Sequence, residues 1–325
     1  MIKPFLLLHA ALLTQVFAQP VVIAHRGASG YLPEHTLEAK AMAHTMGADF
    51  LEQDVVLSRD DVPVVLHDIH LDGVCDVAIR FPDRKRDDGR FYALDFTIAE
   101  LKQLRVFERF DAKTGKQIFP RRFPKGQSHF QIATLEEELQ LIQGLNHSTG
   151  REVGIYPEIK QPGWHRKEGH DISSIVLPIL EKYGYRTKAD ACFLQCFEFD
   201  EVKRLRNEIG WQGRLIMLLG GGKTGIGGSD FESMRTPTGL AELAKIVDGI
   251  GPPISSILNP NNQISDLVAH AHAANLLVHP YTLRADDLPK SVTSADQLMK
   301  LLFTEAKIDG LFTDFPDVVV EWLTK

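Results

Sequence analysis

The sequence is poor in cysteine, with only Cys75, Cys192 and Cys196 in 325 residues, which excludes the disulfide framework of a small secreted module. Cys192 and Cys196 fall four apart in the strand-like ACFLQCF, a span of roughly 13 Å that no disulfide bridges. All three read as packing residues. Positive charge is not in excess either: 36 Lys and Arg against 43 Asp and Glu give a formal net charge of -7. That balance, with no basic stripe on any expected helix, argues against a nucleic-acid binder. The one dense charge cluster, FPDRKRDDGR at 81–90, alternates in sign and reads as a solvated loop. Internal repeats and low-complexity linkers are missing, so one domain is expected. No apolar run is long enough to span a bilayer. The run from Phe5 to about Leu13, behind Lys3 and ahead of Val16-Phe17-Ala18, reads as a signal peptide cleaved after Ala18. An exported protein without a lipid anchor is expected, and so few cysteines suit a bacterial periplasm.

What is there suits a large core, because 44% of the residues are hydrophobic and the chain is long enough to bury them. Short β-branched runs alternate with longer segments of helical period, the pattern of βα units around a parallel sheet. Strands are expected at 21–24, 49–57, 62–67, 154–160, 192–197, 214–220, 248–252, 276–282 and 310–314. Nine is one too many for a barrel of eight. Only Ser58 to Asp61 separates the second run from the third, too little for a parallel crossover, so VPVVLH is expected to return as the second arm of a hairpin. The remaining eight fit an α/β fold of the (β/α)8 TIM-barrel class. The turn-rich segment at about 70–130 reads as a small insertion over the barrel mouth. A helix is expected over Thr134 to Leu145.

Functional side chains of such a barrel stand at the C-terminal ends of its strands. His25 and Arg26 close the first strand. Glu52 and Asp54 are two apart on the second and therefore share a face; Glu158 and Lys160 repeat that spacing on GIYPEIK. Any one of these could be a solvated charge. Five charged residues ending three strands are costly to bury unless a cation sits among the carboxylates. A two-residue turn at Asp60-Asp61 would set Asp54 opposite His67 and bring a second histidine to the site. Oxygen ligands without thiolates favour Ca²⁺ or Mg²⁺ over zinc. Arginine and lysine beside them suit a phosphate group, and two histidines suit general acid–base work.

The motifs AHRGASGYLPEHT, LEQDV, VVLHD, YPEIK, LQCF, LVHPYT and GLFTDFP resemble, in order and over nearly the whole mature chain, the glycerophosphodiester phosphodiesterase family, and closely its periplasmic bacterial branch. The resemblance implies a barrel of the phospholipase C-like phosphodiesterase type. It also implies hydrolysis of glycerophosphocholine, glycerophosphoethanolamine and similar diesters to sn-glycerol 3-phosphate and an alcohol, within glycerol and lipid metabolism. By it His25 and His67 would be acid and base, with His25 assigned as base, and Glu52, Asp54 and Glu158 would hold a divalent cation, Ca²⁺ ahead of Mg²⁺. Arg26 and Lys160 would hold the phosphate, with Glu34, His35 and Gln195 as further substrate-side residues. Smaller cytoplasmic members carry asparagine where this chain has His35. Water and the neighbouring glycerol hydroxyl both stand as nucleophile, and a homodimer is left open.

Other features invite competing readings. LGGGKTGIGG at 219–228 has Met217 where a phosphate-binding P-loop needs glycine, and reads instead as a mobile loop over the mouth. Trp164, Phe197 and Tyr281 could line an alcohol pocket or simply pack. His270 and His272 read as structural on an outer helix. A lysophospholipid-cleaving relative would need an apolar entrance, a two-lobed binding protein would not need paired histidines, and a glycosidase using Glu52 and Glu158 would not need metal.

Overall fold

The computed structural model describes residues 19–225 and 227–325, so the expected signal peptide lies outside the described residues. Among the described residues nine strands form: β1 (Val21–Ala24), β2 (Phe50–Leu57), β3 (Pro63–Val65), β4 (Gly154–Ile159), β5 (Phe193–Cys196), β6 (Arg214–Leu218), β7 (Gly249–Gly251), β8 (Leu277–Val278) and β9 (Gly310–Thr313). Eight run parallel in the order β8-β7-β6-β5-β4-β2-β1-β9, and β3 pairs antiparallel with β2 alone. The seam between β8 and β9 is joined by Asp309 N to Val278 O at 3.1 Å and Phe312 N to Pro280 O at 3.0 Å. The barrel is thus nearly closed. β8 is shorter than LVHPYT suggests, because Pro280 has no N–H to donate to a ladder.

Strand alternation divides the barrel interior into a floor and a working end. Val21, Ile23, Phe50, Tyr156, Phe193, Ile216 and Phe312 make one buried cluster, with Tyr156 and Phe193 stacked at 5.0 Å. Two residues further along the same faces come His25, Glu52, Glu158, Gln195 and Asp314. The outward residues, such as Val22, Leu51, Ile155, Leu194 and Leu215, pack beneath the helices in the largest core cluster. Leu135–Thr149 starts one residue after the expected boundary, since Thr134 caps it in a reciprocal box with Glu137.

The hairpin differs from expectation by one residue. Val55 faces Val65, Val56 faces Val64 and Leu57 faces Pro63, so Asp54 meets Leu66, whose N–H donates to Asp54 O at 2.9 Å. The loop is Arg59-Asp60-Asp61, because Asp61 takes the left-handed conformation (φ +57°) and Ser58 Oγ accepts from Val62 N at 3.0 Å. His67 therefore lies beyond the ladder.

After β3 the chain folds around a second cluster in which Leu71, Phe91, Phe96, Leu101 and Leu104 pack on Val56 and Val64 of the hairpin. Cys75, Cys192 and Cys196 are buried free thiols. No helix among the described residues is long and apolar enough to cross a membrane.

Candidate active site

The HRG and EHT turns are pinned to each other. Arg26 and His35 both adopt φ of +59°, and His35 N donates to Arg26 O at 3.0 Å. Strained backbone of this kind persists where the surroundings over-determine it. Gly27 (φ +83°) lies so close to the next helix that a Cβ would stand 2.8 Å from the Ala39 carbonyl. Thr36 accepts from Ala39 N and caps that helix, Leu37–Thr45. Behind the turn, buried Lys40 donates to Glu138 Oε2 at 2.8 Å and to the Glu52 carbonyl.

His25 and His67 stand at different strand ends, and each is held at Nδ1 by a carboxylate. His25 meets Asp314 Oδ1 at 2.6 Å; His67 meets Asp68 Oδ1 at 2.9 Å. Burial and the Arg26 charge lower His25 from 6.5 to about 4, against the upward pull of Asp314. Burial, Arg26 and Lys160 lower His67 to about 4 as well, although its side chain keeps 32% of its exposure. Both are then neutral near pH 7, with no partner for the second ring nitrogen among the described residues.

Between them lie three buried carboxylates. Glu52 Oε2 accepts from Arg26 N at 2.6 Å, Asp54 Oδ2 meets His35 Nε2 at 2.7 Å, and Glu158 Oε1 pairs with Lys160 Nζ at 2.8 Å. Burial and the Asp54 charge push Glu52 well above its usual range. Burial pushes Glu158 up to about 8, with Lys160 opposing. Burial would also raise Asp54, but Lys160, His67 and His35 hold it well below the usual carboxylate range. Asp54 Oδ1 and Gln195 Oε1 are buried without a hydrogen-bond partner. Asp54 Oδ1 has only the Lys160 ammonium at 3.4 Å, and mutually repelling acids of this kind fit a hard divalent cation. Donor atoms of His35, Glu52 and Asp54 already lie within 4.8 Å of one another, and Glu158 is in register beside Asp54.

Arg26 stands between two carboxylates: its Nη1 reaches Glu34 Oε2 at 2.9 Å and its Nε lies 3.5 Å from Asp54 Oδ2. Burial would raise Glu34, yet Arg109 and Arg26 hold it well below its usual range. Lys160, whose pKa burial would lower, is raised by Asp54 and Glu158. A cleft of about 120 Å³ opens beside this group, lined by His67, Asp68, Lys160, Phe197 and Glu198 among others. Trp164 is instead stacked on Tyr92 at 5.4 Å, and Tyr281 donates its hydroxyl to Leu219 O. In the loop that follows β6, Gly227 O accepts from Asp200 N, in the helix after β5, at 2.8 Å. His272 pairs with Asp309 on the outside, consistent with structural duty.

Sequence reasoning assigned no role to Asp314, Asp68, Arg109, Arg122 or Arg284. The strand-end rule could have found Asp314, and adjacency to His67 could have found Asp68. The arginines belong to loops whose course the sequence does not reveal.

Fold and site together define a (β/α)8 enzyme with two carboxylate-anchored histidines around a cluster of acids able to take a cation. The chain belongs to the glycerophosphoryl diester phosphodiesterase family, whose profile matches residues 25–318. It is 43% identical to the glycerophosphodiester phosphodiesterase of Haemophilus influenzae, over 95% of this chain and 91% of the relative. It is 36% identical to that of Treponema pallidum, over 97% and 95%. Among solved structures, the fold is similar to an Oleispira antarctica phosphodiesterase in complex with the product sn-glycerol-3-phosphate (TM-score 0.61, 20% identity, 94% of this chain and 98% of the other). A glycerophosphodiester phosphodiesterase from Agrobacterium tumefaciens is similar too (TM-score 0.60, 19% identity, 94% and 100%).

Proposed function

We propose that this chain hydrolyses glycerophosphodiesters, such as glycerophosphocholine and glycerophosphoethanolamine, to sn-glycerol 3-phosphate and an alcohol, as an exported enzyme of the periplasm. The observation that carries this reading is the pair of histidines, each fixed at Nδ1 by a carboxylate, on either side of the buried acids. Curated relatives of nearly equal length bear the same activity in their names. Glu52, Asp54 and Glu158, with His35 in reach, are the residues that would hold the divalent cation, Ca²⁺ ahead of Mg²⁺. Bound there, it would supply positive charge against the non-bridging phosphate oxygens.

Arg26 and Lys160 bind the phosphate, and Glu34 and Gln195 brace its surroundings. His25 accepts the proton of the nucleophile, and Asp314 stabilises the imidazolium that results. His67 donates to the leaving alkoxide. Its proton returns when phosphate charge offsets Arg26 and Lys160, the two cations that depress it. The cleft beside His67 and Phe197 receives the departing alcohol.

The test supplies the mature protein with glycerophosphocholine in Ca²⁺, in Mg²⁺ and in chelator, while sn-glycerol 3-phosphate and the glycerol cyclic phosphate are measured. Cation-dependent release is expected, and a transient cyclic ester would assign the nucleophile to the glycerol hydroxyl. Full activity in chelator would overturn the metal-assisted reading.

A further inference from the structure

Two arginines of the segment between β3 and Leu135 end on the carboxylates that hold the two histidines. Arg109 Nη1 donates to Asp68 Oδ2 at 2.8 Å, leaving Asp68 Oδ1 for His67. The same guanidinium grips Glu34 through Nη2 at 2.5 Å and Nε at 3.0 Å, and Glu34 in turn receives Arg26. Arg122 Nη2 donates to Asp314 Oδ2 at 2.8 Å, leaving Asp314 Oδ1 for His25. Arg122 is itself fixed by a fork onto Asp286, at 2.9 and 3.0 Å, and by Ser29 O at 3.2 Å. In both cases one carboxylate oxygen faces the histidine and the other faces an arginine from the same segment.

We propose that this segment is a working part of the active site, in which Arg109 and Arg122 are positioning residues that orient Asp68 and Asp314. Through those carboxylates they fix the ring orientation and the Nδ1–H tautomer of His67 and His25. The proposal rests on the reading of these histidines as acid and base. Its physical ground is that a lone aspartate can rotate about Cβ–Cγ, whereas one pinned at both oxygens cannot; partners of this kind tune a histidine's basicity and tautomer.

The two sides are unequal. Asp314 is 2% exposed and also receives Arg284 Nε at 2.9 Å. Asp68 is 38% exposed, and Arg109 is the one arginine paired with it among the described residues. Arg109 therefore matters more to His67 than Arg122 does to His25. Because it also grips Glu34, Arg109 ties the phosphate-binding Arg26 to the leaving-group side.

The experiment combines ring-nitrogen NMR of the ¹⁵N-histidine-labelled full chain with kinetics on glycerophosphocholine in Ca²⁺. In wild type both histidines are expected as Nδ1–H tautomers. Arg109→Gln should move the ring signals of His67 and leave those of His25 in place. It should also lower kcat about 10- to 100-fold; KM should stay nearly unchanged in Asp68→Asn, where Glu34 and Arg26 remain braced by Arg109, the mark of lost alignment rather than lost binding. Arg109→Lys, which keeps the charge without the fork, should recover part of kcat. Arg122→Gln should act on His25 alone and more weakly. Asp68→Asn leaves the Arg109–Glu34 pair in place and should reproduce the Arg109→Gln signature at His67, so the relay remains testable if one variant folds poorly. Unmoved His67 signals in folded Arg109→Gln, or kcat within twofold of wild type, would overturn the relay. If wild type releases no glycerol 3-phosphate, the functional reading fails, while the ring-nitrogen comparison still decides the relay.

Discussion

Replacing Asp314 by Asn probes the anchored histidine with little change of shape. The carboxylate receives three charged or chargeable donors: His25 Nδ1 at 2.6 Å, Arg122 Nη2 at 2.8 Å and Arg284 Nε at 2.9 Å. An amide keeps one acceptor oxygen and no charge. A hydrogen bond to a charged group contributes about 1.5–3 kcal/mol. If that amount is lost where His25 becomes imidazolium, kcat falls roughly 10- to 150-fold. KM should barely move, since the phosphate ligands are untouched. Asp314 is one of the influences that raise His25, so the acid limb of the rate profile should shift to lower pH in the variant. The assay is steady-state hydrolysis of glycerophosphocholine across pH, with a melting curve to establish folding. A folded Asp314→Asn with kcat within twofold of wild type, or an acid limb displaced upward, would refute the reasoning.

Lys40→Met should cost about 3–5 kcal/mol in a urea titration, because Glu138 is left charged, buried and unpaired. Lys40→Met with Glu138→Leu should regain most of it, and a single variant within 1 kcal/mol of wild type (on the scale of about 1 kcal/mol for weak surface pairs) would contradict that view. His67→Ala should lose about 10²- to 10⁴-fold on glycerophosphocholine. The loss should be far smaller on a nitrophenyl phosphodiester, whose leaving group needs no proton; equal losses would reverse the assignment of His67 as acid. The metal-free protein should lose stability as pH rises from about 6.5 to 8. Glu158 and Glu108 titrate near 8 when folded, raised chiefly by burial, against 4.5 when unfolded. Their contribution is complete below 4.5 and is lost as pH rises through 8. Histidines held neutral in the fold no longer offset this above 6.5. Saturating Ca²⁺ should flatten the decline, since Glu158 would already be ionised; a urea midpoint that climbs over this range in chelator would refute it.

Much of this was legible in the sequence because β-strands alternate. Phe50, Glu52 and Asp54 share one face by spacing alone, and the same count places Glu158 above Tyr156 and His25 above Ile23. Eight parallel strands followed from the one linker too short for a crossover. The hairpin register was misread because a left-handed Asp61 and the Ser58 side chain make a three-residue loop, and strand pattern does not distinguish that from a two-residue turn. Arg109 and Arg122 were illegible for a different reason. They reach the site by tertiary packing of a segment with few regular elements, and no local period marks where such a loop will end.

The most direct test of the central claim is a ³¹P NMR time course of the purified protein with glycerophosphocholine and Ca²⁺. The diester resonance should give way to that of sn-glycerol 3-phosphate, with no conversion in His25→Ala or in chelator. A diester signal that persists unchanged with active-site metal present, or conversion that continues in folded His25→Ala at the wild-type rate, would contradict the account.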